Sequence, residues 1–382
     1  MNSKRGLIKR GDFMGYVAGM VKYTDIDNII NKKGLQYLIL LGQRSNGKSY
    51  AVKERAVRNA YSDDREFIYL RRYDEDIKDY NTELYFTDLN ISEITNGEYD
   101  AITIYRKRIY FSTAAHYTEE GEEVPAKRGR CIGYVQSLNK SERSKSLSFG
   151  KVDTIIYEEF ITDATYLSDE VNRLANFVST VFRERLGVVC LVGNTISRIC
   201  PYFSEWQLTH INKQKKGSID IYEHDNGQSV VKIGVYLTDS LSSVSGMFFG
   251  RSAKMINKGE WQTGSYPKIE GRADDYTICY TVIYAHDLNT YRLLLLSGYP
   301  SALGVTWYVE PKTTEIKDGS RVVSSRPVKG CLWTADFKGL NQQEQYAFNL
   351  LTEGHVVYSD NLTASEFLQC RKNDRVGGAL IK

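Results

Sequence analysis

Two kinds of hydrophobic pattern alternate along the first half of the chain. Short apolar runs predict β-strands at 35–41, 67–70, 152–157 and 187–192. Apolar residues at helical spacing predict helices at 48–61 and 168–185. Strands that alternate with helices are typical of an α/β domain with a mainly parallel sheet. We therefore expect this fold over about residues 1–205.

Residues 101–111 (AITIYRKRIYF) interrupt this order with strict alternation, which predicts a β-hairpin around Arg106-Lys107-Arg108. The following charged stretch, 119–130, is predicted to be a polar loop. No role is predicted for the segment at 111–130.

The pattern changes after Pro201. Residues 206–264 are mostly polar and contain glycine, and they predict a linker or a small subdomain. Dense apolar runs at 276–285 and 291–296 then predict a second hairpin. A strand at 304–309 and a helix at 341–351 follow. We therefore expect a smaller α+β domain over 265–382.

The amino-acid composition argues against several classes of protein but does not indicate a reaction. The 382 residues are 42% hydrophobic and 25% charged, as in ordinary soluble proteins. The net charge of +3 provides no global basic field, so a polyanion would have to meet local patches. None of the six cysteines lies in a CxxC pair, which argues against a disulfide framework or a zinc site. No apolar run approaches the length of a membrane span, and the basic N-terminal stretch lacks the apolar segment of a secretory signal.

The strand predicted at 35–41 leads directly into a phosphate-binding motif, G-Q-R-S-N-G-K-S, which matches G-x-x-x-x-G-K-[ST] at each fixed position. Gly42 and Gly47 allow the backbone to curl around phosphate oxygens, and the helix that follows adds its N-terminal dipole. Lys48 would reach the β- and γ-phosphates, and the Ser49 hydroxyl would bind Mg²⁺. The residues expected to contact nucleotide are Gly42, Gln43, Arg44, Ser45, Asn46, Gly47, Lys48, Ser49 and Tyr50. The alternative is a glycine turn that caps a βα unit.

Two adjacent carboxylates end the strand predicted at 152–157. Glu158 would hold Mg²⁺ through water, and Glu159 would polarise the attacking water as a general base. The alternative is a solvent-facing acidic pair at a strand end.

Two further positions are candidates for sensing or completing the site. Asn194 follows the strand at 187–192 and would contact the γ-phosphate or the attacking water, unless it belongs to a plain turn. Arg183 and Arg185 close the helix predicted at 168–185, where the helix dipole favours arginine in any case. The functional alternative is an arginine finger that stabilises transition-state charge in a neighbouring subunit.

Taken in order, the motifs resemble the DNA-packaging (encapsidation) ATPases of small tailed bacteriophages. The resemblance is to the Bacillus-phage type, which is related to large terminases and FtsK/HerA-like motors. It covers about residues 35–203 and rests on the segments at 42–49, 67–73, 141–146, 154–161, 180–185 and 193–203. It implies a P-loop NTPase of the additional-strand, catalytic-glutamate (ASCE) class, with ATP and Mg²⁺ as cofactors. In this family the strand usually ends in Asp then Glu, where this chain has Glu158 then Glu159.

The resemblance also implies roles for single residues. Arg44 occupies the position of the basic residue inside the P-loop of terminase-like motors, and Glu159 that of the catalytic base. Arg183 matches an arginine finger that acts in trans. Lys145 matches a second basic residue that acts across the subunit boundary, and Asn194 fits a coupling position.

The partners implied are double-stranded DNA, the portal of a procapsid and further copies of the chain in a ring, taken as a pentamer. A structural RNA takes part in some relatives. The expected location is the host cytoplasm, with transient docking on the portal, no membrane, and absence from the mature virion. The C-terminal domain is implied to be a degenerate RNase H-like fold. Since its strand runs lack carboxylates, we expect no nuclease activity.

Two basic segments are candidates for contact with DNA. They are Arg106-Lys107-Arg108 and Lys127-Arg128-Gly129-Arg130. The alternative is a solvated hairpin tip and a solvated loop. For the whole chain, the alternatives to a packaging motor are another P-loop enzyme, such as a helicase or a small-molecule kinase, and a non-catalytic portal-associated protein.

Overall fold

The computed structural model divides the chain into two compact units near residue 260, with 162–166 and 196–209 grouped with the second unit. It describes residues 25–43, 46–117, 123–144, 148–162, 164–197, 200–239, 265–268, 276–284, 289–297, 305–324, 329–334 and 341–373.

The first unit is built on one large mixed sheet. Its described strands, in spatial order, are β10 (Ser218–Asp225), β11 (Val230–Leu237), β1 (Tyr37–Gly42), β9 (Val188–Asn194), β8 (Val152–Glu158), β2 (Glu66–Arg71), β7 (Lys127–Ser137), β4 (Arg108–Thr113) and β3 (Ala101–Tyr105). The strands from β11 to β7 are parallel to their neighbours, whereas β10 at one edge and β4 and β3 at the other are antiparallel. The predicted mainly parallel α/β fold is confirmed.

Helices cover this sheet. They are α1 (Ile26–Lys33), α2 (Lys48–Ser62), α3 (Asp79–Phe86), α4 (Ile91–Ile94) and α5 (Glu170–Phe182). Short 3₁₀ turns lie at Asp74–Ile77, Leu138–Ser144 and Ile211–Lys213, and a small ladder joins β5 (His116–Tyr117) to β6 (Glu123–Val124). The predicted strands and helices of this unit and the hairpin at 101–111 are confirmed.

Burial on both faces explains the apolar runs in the central strands. Leu38 and Leu40 on β1 lie in one buried cluster with Val52 and Ala56 on α2. Burial of such a side chain contributes about 1.5–3 kcal/mol. The strand before the glycine-rich loop and the helix after it are therefore fixed against each other.

Two predictions need correction. Residues 218–237 lie inside the predicted linker at 206–264, yet they form β10 and β11 of the large sheet, and β11 pairs in parallel with β1. Residues 127–130, predicted as polar loop, begin the eleven-residue strand β7. Polar residues are frequent at 127–130 and 218–229, although 233–237 is apolar. The extended conformation of both segments depends on the pairing of β11 with β1 and of β7 with β2, which are distant in sequence.

The second unit contains a described sheet with strand order β16 (Leu332–Thr334), β15 (Arg321–Ser324), β12 (Tyr276–Tyr284), β13 (Asn289–Ser297), β14 (Val305–Pro311), β17 (Val356–Tyr358). Its described helices are α6 (Pro201–Glu205), α7 (Gln342–Thr352) and α8 (Asn361–Asn373). The placement of α6 differs from the predicted boundary, which assigned 201–205 to the first domain.

Aromatic packing holds this second unit together. Trp307 stacks on Phe348 with ring centroids 5.0 Å apart, and Phe367 is buried in the same cluster. Hairpin pairing of β12 with β13 confirms the predicted hairpin, while the RNase H-like assignment stays a prediction. In the parts of the chain that are described, none of the helices has the length and apolar character needed to cross a membrane.

Candidate functional site

The parallel strands of the first unit bring the predicted site residues to one edge of the sheet. Gly42 at the end of β1 is the register partner of Asn194 at the end of β9. Glu158 ends β8, which pairs with β9. Ligands of open α/β sheets bind outside the carboxyl ends of the strands, and these residues lie there.

Both glycines of the loop adopt conformations that favour glycine. Gly42 has φ of 155°, and a Cβ atom there would lie 2.0 Å from Thr238 Oγ1. Gly47 has φ of 80° and precedes the first residue of α2. A side chain at either position would strain the backbone, and at Gly42 it would also collide with Thr238.

Thr238 is a member of the site that sequence reasoning missed. It follows β11, where its hydroxyl donates to Leu41 O at 2.8 Å and accepts from Asn46 Nδ2. The loop is therefore attached to a strand whose residues are almost 200 positions away. The apolar run Ile233–Leu237 could have predicted the strand before Thr238, but the prediction of a linker did not use it.

Lys48 is buried at the start of α2, and three oxygen atoms surround its ammonium group. Nζ donates to Gln43 O at 2.5 Å, Asn46 Oδ1 at 2.9 Å and Asn194 Oδ1 at 3.2 Å. Burial lowers the pKa of Lys48 to about 8, against the opposing effect of the Glu158 charge. The ammonium group of Lys48 thus lies next to the loop. Phosphate oxygens can replace the neutral carbonyl and amide oxygens that now accept its hydrogen bonds.

Glu158 is also buried, and its carboxylate accepts hydrogen bonds from two hydroxyl groups. Tyr85 Oη on α3 lies 2.7 Å from Oε1, and the Ser49 hydroxyl is the second donor. Burial raises the pKa of Glu158, whereas both hydrogen bonds lower it. Because Mg²⁺ prefers oxygen ligands, the adjacent Ser49 and Glu158 oxygens fit that ion. No sequence signal distinguished Tyr85 among the 28 tyrosines of the chain.

Glu159 differs from Glu158 in both backbone and environment. Its φ of 54° is unusual for a residue with a side chain, and strain of this kind clusters at functional sites. The side chain is 60% exposed, and its Oε2 accepts from Arg71 Nη2 at 2.6 Å. The structure thus directs one carboxylate into the protein and the next one outward, next to an arginine.

Arg72 binds the backbone at Glu159 and Phe160. Its guanidinium donates to Glu159 O at 3.2 Å and Phe160 O at 2.6 Å. It also contacts both carboxylate oxygens of Glu170 on α5, at 2.8 and 3.0 Å. Arg71 is the last residue of β2 and Arg72 follows it, and β2 pairs with β8, which ends in Glu158. This position at a strand end was the signal that sequence analysis could have used.

We expect Arg72→Ala to lower the free energy of unfolding by about 3–5 kcal/mol, because the buried Glu170 carboxylate would lose the opposite charge of Arg72. Denaturant unfolding of the purified protein measures the change. The double variant Arg72→Met/Glu170→Leu is the control, since it removes both charges and should lose much less stability. Equal losses in the two variants would contradict the assignment.

The two arginines at the end of α5 have different environments. Arg185 donates to four carbonyl oxygens, those of Phe149, Gly150, Val152 and Val181, and so fastens the helix end. Arg183 is exposed and has φ of 53°, and its side chain makes no hydrogen bond or ion pair with the described residues. Its guanidinium is available to a group outside the subunit.

The remaining predicted site residues have mixed outcomes. Tyr50 packs partly buried against the hydrophobic core. Arg44, Ser45 and Lys145 lie outside the described residues. The role of every site residue in catalysis or nucleotide binding stays a prediction.

A family model described as "Podovirus DNA encapsidation protein (Gp16)" matches residues 21–288 of the chain. The chain belongs to the podovirus DNA encapsidation protein family. The resemblance found in its motifs is confirmed, and so is its predicted function in DNA packaging. The match covers the whole parallel sheet and extends into the second unit, beyond the segment at 35–203 that carried the sequence resemblance.

Individual relatives of this encapsidation protein agree with the family match. It is 26% identical over 274 residues to the DNA packaging protein of Bacillus phage PZA, covering 69% of this chain and 71% of that protein. It is 26% identical over 277 residues to the DNA packaging protein of Bacillus phage phi29, with the same coverage. A chain of the bacteriophage phi29 genome packaging motor assembly superposes with TM-score 0.52 at 19% identity, over 90% of this chain and 98% of that chain. At that identity the likeness shows a common fold.

Proposed function

We propose that this encapsidation protein is an ATP-hydrolysing motor that drives double-stranded DNA through the portal into a preformed procapsid. The observation that carries the proposal is the placement of Lys48, Ser49, Glu158, Glu159 and Asn194 at one sheet edge. A chain that only bound the portal would not need a buried lysine beside two carboxylates with separate environments.

Each residue then has a distinct part in hydrolysis. Lys48 and the loop N–H groups bind the β- and γ-phosphates of ATP, and Ser49 and Glu158 would hold Mg²⁺, Glu158 through water. Mg²⁺ supplies charge neutralisation on the phosphates when it is bound. Glu159 accepts a proton from the water that attacks the γ-phosphorus. Asn194, now 3.2 Å from Lys48 Nζ, is placed to contact the γ-phosphate and to respond to its release.

The ion pair between Arg71 and Glu159 must open before Glu159 can act as a base. While Arg71 Nη2 remains 2.6 Å from Oε2, the ion pair occupies that carboxylate oxygen and keeps it from the attacking water. Turnover therefore depends on a movement of one of these two side chains.

Completion of the site from a neighbouring subunit is part of the proposal. The exposed Arg183 is the arginine finger, and Lys145 assists it across the same boundary. This division requires a homo-oligomeric ring, for which a pentamer is the form that the resemblance implies. A structural RNA, the host cytoplasm and transient docking on the portal belong to the same proposal.

The second unit is proposed to lack nuclease activity. Among the described residues, no group of three or more His, Cys, Asp or Glu side chains is placed to hold a metal ion. A two-metal nuclease needs such a group. Incubation of the protein with DNA and Mn²⁺ or Mg²⁺ tests this point, and cleavage would contradict it.

Steady-state ATP hydrolysis tests the motor against the enzyme alternatives. Turnover is compared without additions, with double-stranded DNA, and with DNA and procapsids together. A packaging motor is stimulated by DNA and procapsids. Turnover indifferent to both but stimulated by a small acceptor would instead support a kinase, and turnover stimulated by DNA with strand separation would support a helicase.

We expect nucleotide affinity to fall as pH rises above about 8, by up to tenfold per pH unit, because the nucleotide-free Lys48 loses its proton there. Bound phosphates hold this proton, so binding at such a pH takes up a proton. Calorimetry in buffers of different ionisation enthalpy measures the uptake. Binding with no proton uptake would contradict the role of Lys48.

The same lowered pKa affects stability with a definite sign. Between about pH 8 and 10.5 the folded protein binds fewer protons at Lys48 than the unfolded chain does. This residue therefore makes the free energy of unfolding rise with pH across that window.

A further inference from the structure

Arginine and tyrosine side chains share one surface at the β3–β4–β7 end of the first unit's sheet. We define the arginine–tyrosine face as Tyr105, Arg106, Arg108, Tyr110 and Arg128. The segments 101–113 and 127–137 that carry it contain six basic residues and no Asp or Glu. The basic residues are Arg106, Lys107, Arg108, Lys127, Arg128 and Arg130.

Strand alternation separates this face from the core. Ile104, Ile109 and Phe111 point into the buried cluster. The residues between them point the other way, and Tyr105 and Arg108 are direct cross-strand partners. Two basic segments that are separate in sequence thus meet on one side of the sheet, because β4 pairs with β7.

Two of the three arginines of the face lie against its tyrosine rings. Arg128 Cζ lies 3.9 Å from the centroid of the Tyr105 ring and 5.2 Å from that of Tyr110. Arg106 Cζ lies 5.1 Å from the Tyr105 ring. Stacking on an aromatic ring uses the flat surface of a guanidinium and leaves its N–H edge able to donate to an anion.

The turn between β3 and β4 adds a second feature. Arg106 and Lys107 have φ of 49° and 61°, a conformation in which Asn and Gly are usual. Lys107 forms an ion pair with Asp74. Arg106 is exposed at the tip, and no hydrogen bond or ion pair joins it to the described residues. Fold stability therefore gives no reason for an arginine at this strained position.

Arg130, on the same strand β7 as Arg128, has a structural role. Arg130 donates to Ala60 O at 2.7 Å and pairs with Asp64 at 3.1 Å, so it fastens the end of α2. Arg106, Arg108 and Arg128 are exposed and make no such contacts with the described residues. The three guanidinium groups of the face are thus the ones left to meet a ligand.

We propose that the arginine–tyrosine face contacts the phosphate backbone of double-stranded DNA during translocation. The inference rests on the proposed motor function. Several arginines on segments that contain no Asp or Glu complement a polyanion, and bidentate guanidinium–phosphate bonds suit a regular backbone. Such contacts position the duplex without reading bases, as translocation of a whole genome requires.

The test measures the affinity of the full-length protein for a fluorescent DNA duplex of random sequence across a salt series, with Mg²⁺ and a non-hydrolysable ATP analogue. We expect the triple variant Arg106→Gln/Arg108→Gln/Arg128→Gln to bind more weakly. Its slope of log affinity against log salt should be shallower by about 1 for each phosphate contact removed. Basal ATP hydrolysis without DNA should stay unchanged, because the face contains none of the nucleotide-site residues.

Two variants control for charge and for folding. Lys213→Gln/Lys215→Gln/Lys216→Gln removes three exposed charges elsewhere and should keep the wild-type slope. Arg106→Lys/Arg108→Lys/Arg128→Lys keeps the charge and should keep most of the binding. If the glutamine triple variant is unstable, Arg106→Gln alone should still make the slope shallower by about 1.

The outcomes separate the two proposals. If the wild-type protein binds duplex DNA and the glutamine variants keep its slope, the face is not the contact and the motor function stands. Equal loss in the lysine-cluster control would overturn the face as well, because diffuse charge would then explain binding. Failure of the wild-type protein to bind any duplex, with or without nucleotide, overturns the proposed function itself.

Discussion

Arg183→Ala is expected to reduce ATP turnover by about 10³–10⁵-fold in assembled motors, the usual effect of an arginine finger. Nucleotide affinity should be unchanged, because Arg183 is exposed and has no contact with the loop of its own subunit among the described residues. The reason for the large effect is electrostatic. A guanidinium placed at the γ-phosphate stabilises charge that develops only in the transition state.

Mixing of subunits tests whether the finger acts in trans. Arg183→Ala subunits still carry a complete base, and Glu159→Gln subunits still carry a finger. Mixed assemblies should therefore regain some turnover at interfaces where an intact finger faces an intact base. The control is Arg173→Ala, which removes a partly exposed arginine from the same helix and should keep normal turnover. An absence of rescue would indicate that Arg183 acts within its own subunit.

Glu159→Gln is expected to lower turnover by about 10²–10⁴-fold, the usual contribution of a general base. ATP should still bind, because Lys48 and the loop remain intact. The amide cannot accept a proton from water, and it cannot form the ion pair with Arg71. Steady-state hydrolysis and equilibrium binding of a fluorescent ATP analogue, measured on the same preparation, separate the two effects.

The matched control is Glu205→Gln, which removes an exposed carboxylate on α6 and should leave turnover normal. Normal turnover in Glu159→Gln would transfer the role of base to Glu158. The environment of such a base would differ from that of Glu159, because Glu158 is buried and accepts hydrogen bonds from Tyr85 and Ser49. Replacement of Glu158 by Gln should raise the Mg²⁺ concentration that is needed for half-maximal turnover, because it removes a carboxylate that would hold the ion.

Local pattern was sufficient for the elements around the nucleotide site. The apolar run of β1, the glycines at 42 and 47 and the helical spacing of α2 are short-range features, and each matches the structure. The same holds for Glu158 and Asn194, which end buried strands, and for Glu159, which follows one. Parallel strands with buried ends must bring such residues to one edge, so their proximity was predictable from the fold class.

Long-range pairing decided the rest. β10 and the start of β7 are polar enough to resemble loops, and β11 is an apolar run within a polar stretch. They form strands because β11 pairs with β1 and β10, and β7 pairs with β2 and β4. Thr238 reaches the loop through that pairing.

By itself, the sequence determined the α/β class, the phosphate-binding loop, the order of the acidic and sensor residues and the family. The tertiary structure decided which side chains contact these residues. Tyr85 donates to Glu158, Arg71 pairs with Glu159, and Arg72 donates to the backbone carbonyl of Glu159. The tertiary structure also decided that two basic segments form one face with the tyrosines. The physical reason is the range of the interactions. Hydrophobic periodicity and glycine conformation act within a few residues, whereas hydrogen bonds and ion pairs between side chains join positions that only the folded sheet brings together.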